Sequence, residues 1–227
     1  MNAKKWTALV LFALAVIFNL LANYLGIPLM ERVTKPLLMP LVLLNALLAL
    51  ESTAAPKWLA VLLSFALCFH CGGDIFLMLA DSSFLLFAAG LGCFLVGHIF
   101  YISIFAKEGV FEGAGSWKLC LSILITLLVV LSLVILLKFE GPIKYAVFVY
   151  GSLLLFIAVC GIWGVLNQRR SIYWLTVCGA LIFLFSDFLV AWRSLLGHSF
   201  PGMGVAIMST YVLAECLIVT SIVRNRR

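Results

Sequence analysis

The chain has 227 residues, of which 65% are hydrophobic and only 11% charged, with a mean hydropathy of +1.23. A soluble domain carries roughly 25% charged residues, so this composition excludes a water-facing globular surface and indicates a multi-span membrane protein. The net charge of +6 does not point to nucleic acid, because the cations sit singly or in pairs between apolar segments, where they set membrane orientation.

A spanning helix needs roughly 20 mostly apolar residues. The pattern predicts an all-α polytopic fold, a single eight-helix transmembrane domain over residues 1–227, with spans near 6–25, 36–50, 57–80, 84–105, 117–137, 143–166, 172–192 and 202–223. The second begins at Thr34-Lys35-Pro36, where proline suits a first helical turn. Lys4 and Lys5 before an apolar run imitate a signal peptide, but no small-x-small cleavage site follows, so the first helix is read as retained. Helix five is almost entirely Leu, Val and Ile and is expected to face lipid. The cysteines (Cys68, Cys71, Cys93, Cys120, Cys160, Cys178 and Cys216) all lie in apolar stretches, where they act as small hydrophobes. Cys68 and Cys71 have CxxC spacing without the second pair a zinc site needs.

Counting Lys and Arg by loop places both termini in the cytoplasm. The inner side then carries Lys4, Lys5, Lys57, Lys107, Lys118, Arg169, Arg170, Arg224, Arg226 and Arg227, against Arg32, Lys35, Lys138, Lys144 and Arg193 outside. The tryptophans fall near helix ends, as interfacial aromatics do. Compact loops and the lack of an organelle signal predict a bacterial plasma (inner) membrane.

A charge within a span costs at least about 2.5 kcal/mol on insertion scales, so each one needs a reason. His70 and Asp74 share a face of helix three at i, i+4, and His98 and Tyr101 lie at i, i+3 on helix four. Helix seven carries Ser186-Asp187 and ends at Trp192-Arg193. Tyr211 and Glu215 share a face of helix eight, as Asn19 and Asn23 do on helix one. At about 1.5 Å per residue, Asp74 and Asp187 lie roughly 8 Å below the outer boundary and His98 and Glu215 about 20 Å below it. These depths predict a polar cavity open to the outside, walled by helices one to four, seven and eight, with two carboxylates near its mouth and a second polar layer beneath. Purely structural pairings also fit: Asp74 and Asp187 with Lys35 and Arg193, or Glu215 with Tyr211 or His98. Gly72-Gly73, Gly90 and Gly97 suit close helix packing better than phosphate binding.

An ordered set of motifs carries a resemblance. Thr34-Lys35-Pro36-Leu37-Leu38, Gly73-Asp74 with Ile75-Phe76-Leu77-Met78, Gly90-Leu91 with Phe94, Gly97-His98 with Tyr101-Ile102, Gly179 with Phe183 and Ser186-Asp187, and Thr210-Tyr211 follow the order and near-spacing of the YhhN family. The chain resembles these eight-span membrane proteins from about residue 34 to 218. It departs from them at Glu215, where the family pattern has glutamine. The family's characterised members are lysoplasmalogenases. The resemblance therefore implies hydrolysis of the vinyl ether bond of lysoplasmenylcholine or lysoplasmenylethanolamine to a fatty aldehyde and glycerophosphocholine or glycerophosphoethanolamine, with no metal or organic cofactor.

That chemistry suits the residues. Protonating the β-carbon of a vinyl ether gives an oxocarbenium ion, water captures it as a hemiacetal, and the hemiacetal collapses to aldehyde and alcohol. One general acid and one anion are needed, as in two-carboxylate glycosidases, and Asp74 and Asp187 are the expected catalytic pair. Lys35 and Arg193 could bind the lysophospholipid's phosphate, with its chain along Leu- and Phe-rich walls. His98, Tyr101, Tyr211 and Glu215 are the remaining candidate substrate-site residues, able to position water or orient an aspartate. Two alternatives stay open. A zinc-dependent membrane lipid hydrolase would have to use His70, His98 and His198, with no HxxxH pair. A proton-coupled carrier of a small amine or lipid would use the same acids as a relay, although no inverted repeat is visible.

Overall fold

The computed structural model describes residues 3–53, 55–80, 83–138, 141 and 143–225. The eight long helices are α1 (Ala3–Leu25), α2 (Pro28–Leu50), α3 (Lys57–Met78), α4 (Phe84–Lys107), α5 (Ser116–Leu136), α6 (Ile143–Gln168), α7 (Trp174–Ser194, entered through a 3-10 turn at Ser171–Tyr173) and α8 (Met203–Arg224). All eight are long and apolar enough to cross a membrane, and the chain is a multi-pass integral membrane protein. Arg226 and Arg227, counted toward the inner side above, lie outside the described residues.

Helices are what such a sequence must form, since hydrocarbon offers no partner to a free amide or carbonyl. The hydroxyls within the spans obey the same constraint. Ser64, Ser103, Ser122, Thr126, Ser132 and Ser152 each donate to the carbonyl four residues earlier on their own helix, at 2.7–2.9 Å.

One boundary needs correction. The second helix starts at Pro28, two turns before the expected Pro36. Glu31, Arg32 and Lys35 made residues 28–35 look like a loop, yet these charges stand on a helix that reaches a polar vestibule. Gly26, at φ +64°, supplies the left-handed residue that turns α1 tightly into α2. Thr34 then ties the pair, donating to the Met30 carbonyl at 2.7 Å and accepting from Asn19 Nδ2 at 3.0 Å. Pro36 and Pro40 lie inside α2. Because Pro40 has no N–H, the Pro36 carbonyl lacks its helical donor; the Cys71 thiol donates to it at 3.4 Å. The role of Cys71 in the CxxC pair is therefore to close α2 against α3.

The most extensive helix pairing is α3 with α4, followed by α7 with α8. Small residues allow the first approach. A Cβ on Gly73 would lie 2.6 Å from Phe94 Cδ2, one on Gly90 2.8 Å from Leu77 Cγ, and one on Gly97 would overlap the His70 imidazole. Gly97→Val should therefore destabilise the protein by about 1–3 kcal/mol or more, the cost of forcing volume into a filled core, and thermal unfolding in detergent measures it. Unchanged stability would show that the α3–α4 seam is looser than described. Helix α5, with mean hydropathy 3.1, packs chiefly on α6 and exposes Leu121, Leu124, Leu128 and Leu131, the lipid-facing role expected of it.

The two ends of the bundle differ. At the end holding the first residues of α1 and the last of α8, Lys107 lies 5.4 Å over the Trp58 ring and Lys5 donates to Ser52. There Glu108 accepts from Tyr173 and Asn225 at 3.1 and 3.0 Å, and Arg170 bonds Asn225, joining α4, α7 and α8. Trp6, Trp117 and Trp174 are exposed near this end. The opposite end opens into the vestibule.

Candidate active site

A polar cavity of about 650 Å³ occupies that opposite end. Its walls come from α1 (Asn23), α2 (Glu31, Arg32, Lys35), α3 (Leu77), α4 (Phe84), α7 (Arg193) and α8 (Gly204). These are the helices expected to wall it. Lys35 and Arg193 both reach this space, but neither aspartate lines it. Asp74 is 2% exposed and lies beneath Lys35, whose Nζ is 3.8 Å from Asp74 Oδ1. Lys35, with 14% of its side chain exposed, thus stands between the vestibule and the acid.

Each aspartate is held by a tyrosine from another helix. Tyr211 of α8 donates to Asp74 Oδ2 at 2.8 Å, and Tyr150 of α6 donates to Asp187 Oδ2 at 2.5 Å. Tyr211 is thus brought to an aspartate, whereas Arg193 makes no described pair with Asp187. Asp74 is buried, whereas Asp187 is half-buried. The Phe183 ring fills the space between the two pairs, with its centroid 5.4 Å from that of Tyr211 and 4.9 Å from that of His98. His98 in turn lies 5.5 Å from Tyr150.

Asp187 and Tyr150 line a second cavity of about 370 Å³, bounded by α3, α4, α5, α6 and α7. Among the described residues its remaining walls are aliphatic, aromatic or glycine, and it shares Leu77, Phe87, Val190 and Leu195 with the vestibule. Asp74 thus sits beneath Lys35 of the basic, polar chamber, and Asp187 on the wall of the apolar one that adjoins it. Helix α6 was missing from the expected walls, and Tyr150 from the candidate list. The available signal was a lone mid-span phenol in Val149-Tyr150-Gly151-Ser152, but nothing in the sequence says which helix it faces.

Beneath the aspartates lies a wholly buried polar layer. Tyr101 donates to Glu215 Oε2 at 2.7 Å, His70 Nδ1 is 2.5 Å from Glu215 Oε1, and the His70 and His98 rings are 4.8 Å apart. His98, Tyr101 and Glu215 are fully buried and line neither cavity. Glu215 accepts from Tyr101 and lies at ion-pair distance from His70, and is not bonded by Tyr211 or His98. His198 packs on Trp192 instead, with ring centroids 4.7 Å apart. Among the described residues no group of three or more His, Cys, Asp or Glu side chains converges as a metal site requires.

A family model described as the YhhN family matches residues 30–222. No curated protein and no solved structure matches the chain.

Proposed function

The chain belongs to the YhhN family, and from that premise we propose that it is a hydrolase of the vinyl ether bond in lysoplasmalogens, with Asp74 and Asp187 as the catalytic pair. One observation carries the reading: two tyrosine-held carboxylates, Asp74 buried beneath Lys35 of a cationic vestibule and Asp187 half-buried on the wall of the apolar cavity that adjoins it. A lysoplasmalogen has its polarity in that order, with a phosphate headgroup, a glycerol, the vinyl ether and then one hydrocarbon chain.

In the proposed reaction one carboxylic acid delivers its proton to the β-carbon of the vinyl ether. The C=C pair forms the new C–H bond, and the cation spreads over the α-carbon and ether oxygen. The second carboxylate stabilises that cation electrostatically and takes a proton from the water that attacks the α-carbon, giving a hemiacetal. The second acid then returns its proton to the glycerol oxygen as the C–O bond breaks, and the first carboxylate takes the hemiacetal hydroxyl proton, which releases aldehyde and the glycerophospho-alcohol with one water consumed and both carboxyl groups restored. Tyr150 and Tyr211 each fix one carboxylate oxygen, and the second oxygen of Asp74 faces Lys35.

The direct test is aldehyde release from lysoplasmenylcholine and lysoplasmenylethanolamine by detergent-purified protein. Detergent abolishes any gradient, so product formation there separates hydrolysis from proton-coupled transport, and folded protein releasing no aldehyde from either lipid would sink the proposal. In the same assay Lys35→Ala and Arg193→Ala are expected to raise KM by roughly 10–100-fold, since a hydrogen bond to a charged group contributes about 1.5–3 kcal/mol. Substrates lacking the phosphate should lose that sensitivity. Equal loss on both substrates would mean that the two cations act on the acids and not on the headgroup.

A further inference from the structure

The apolar cavity, walled mainly by α4, α5, α6 and α7 with Leu77 of α3, has Tyr150 and Asp187 as its only polar side chains among the described residues. Phe87 and Leu195 belong to both this cavity and the vestibule, so the two spaces adjoin. Along α7 the lining continues from Asp187 back to Leu181, six residues and therefore about 9 Å deeper into the bundle. On α5 it extends from Leu137 to Val130. The cavity thus runs inward from the vestibule, passes the Asp187–Tyr150 pair and ends among hydrocarbon side chains. Helix α5 packs chiefly on α6, and Leu133 and Phe185, on the two flanks of the cavity, are exposed on the lipid-facing surface.

We propose that this cavity is the binding site for the single hydrocarbon chain of a lysophospholipid, entered sideways from the bilayer between α5 and α7, and that Leu181 and Val130 at its inner end set the longest chain accepted. The assignment rests on the lysolipid reading for its class of ligand. The geometry adds the route, the direction of the chain and the residues that limit it. One apolar cavity beside one cationic chamber matches an amphiphile with one chain, and leaves a second chain of a diacyl lipid without a place. Asp187 then meets the first carbons after the headgroup, where a vinyl ether lies. Chain selectivity follows from shape: a chain leaving the bilayer exchanges one apolar surrounding for another, so added methylenes gain little until the end of the cavity rejects them.

Two measurements test this. The first is photo-crosslinking with a non-hydrolysable alkyl-ether lysolipid carrying a diazirine near the terminal methyl group. The second is the hydrolysis profile over lysoplasmalogens of graded chain length. Labelling is expected on residues 130–137 of α5 and 181–188 of α7. Leu181→Trp, at a position half exposed to lipid and so tolerant of bulk, should displace the label and shift preference to shorter chains, within the roughly 10–200-fold discrimination that a methylene brings in an apolar pocket. Val130→Phe should act in the same direction. Leu128→Trp, on the exposed face of α5 outside the cavity, should change neither readout. Label scattered over lipid-facing surfaces, or an unchanged chain profile in folded Leu181→Trp and Val130→Phe, overturns the assignment. Label confined to the cavity in a protein that hydrolyses no lysoplasmalogen supports the chain site while the reaction fails.

Discussion

Asp74→Asn and Asp187→Asn are each expected to lower kcat/KM for aldehyde release by about 10²–10⁴-fold, the contribution of a positioned acid or base, while leaving the protein folded. An asparagine side chain keeps an oxygen able to accept from Tyr211 or Tyr150, so both inter-helix hydrogen bonds at 2.8 and 2.5 Å can persist in the variants. What each variant loses is the proton donor or the anion, and the double variant should be little worse than either single one because the two act in one step. Tyr150→Phe and Tyr211→Phe remove only the group that orients a carboxylate, and should cost less than the aspartate changes. Retained activity in folded Asp187→Asn would remove that residue from the reaction and leave Asp74 beneath Lys35 as an ion pair.

Glu215→Ala is expected to give the largest loss of stability among single side-chain truncations. The carboxylate is fully buried, accepts from Tyr101 at 2.7 Å and lies 2.5 Å from His70 Nδ1. Its removal leaves the Tyr101 phenol without its acceptor and the His70 imidazole without its ion-pair neighbour in a buried layer. Breaking one member of a buried charged pair costs about 3–5 kcal/mol, measurable by unfolding in detergent. Glu215→Gln keeps an oxygen for Tyr101 and should cost distinctly less. This comparison bears on the resemblance, whose pattern has glutamine here, because a stable and active Glu215→Gln assigns Glu215 to the scaffold. If Glu215→Gln folds but loses activity as deeply as the aspartate variants, Glu215 acts in catalysis and the two-acid reading fails.

The sequence by itself determined the number and kind of elements. Seven apolar runs of bilayer length and a shorter eighth at 36–50 are sufficient, because hydrocarbon forces every backbone group into an internal hydrogen bond. Helical periodicity likewise settled which polar residues share a face, such as His70 with Asp74 and Tyr211 with Glu215, since local geometry fixes the i, i+4 relation. The helices that wall the vestibule are those whose polar residues pointed to it, but the two carboxylates expected near its mouth do not line it. Three features depended on tertiary structure. Helix α2 extends to Pro28 because its charges find a polar chamber and the free Pro36 carbonyl finds Cys71, a donor from another helix. The partner of Asp187 is Tyr150 and not Arg193, because the rotation of α6 against α7 is set by packing that no local spacing encodes. The separation of a cationic chamber from an apolar one beside the same acids arises where α5 leans on α6 without closing the gap to α7. A run of leucines reads the same whether it faces lipid or lines a cavity, and only the positions of its neighbours distinguish the two.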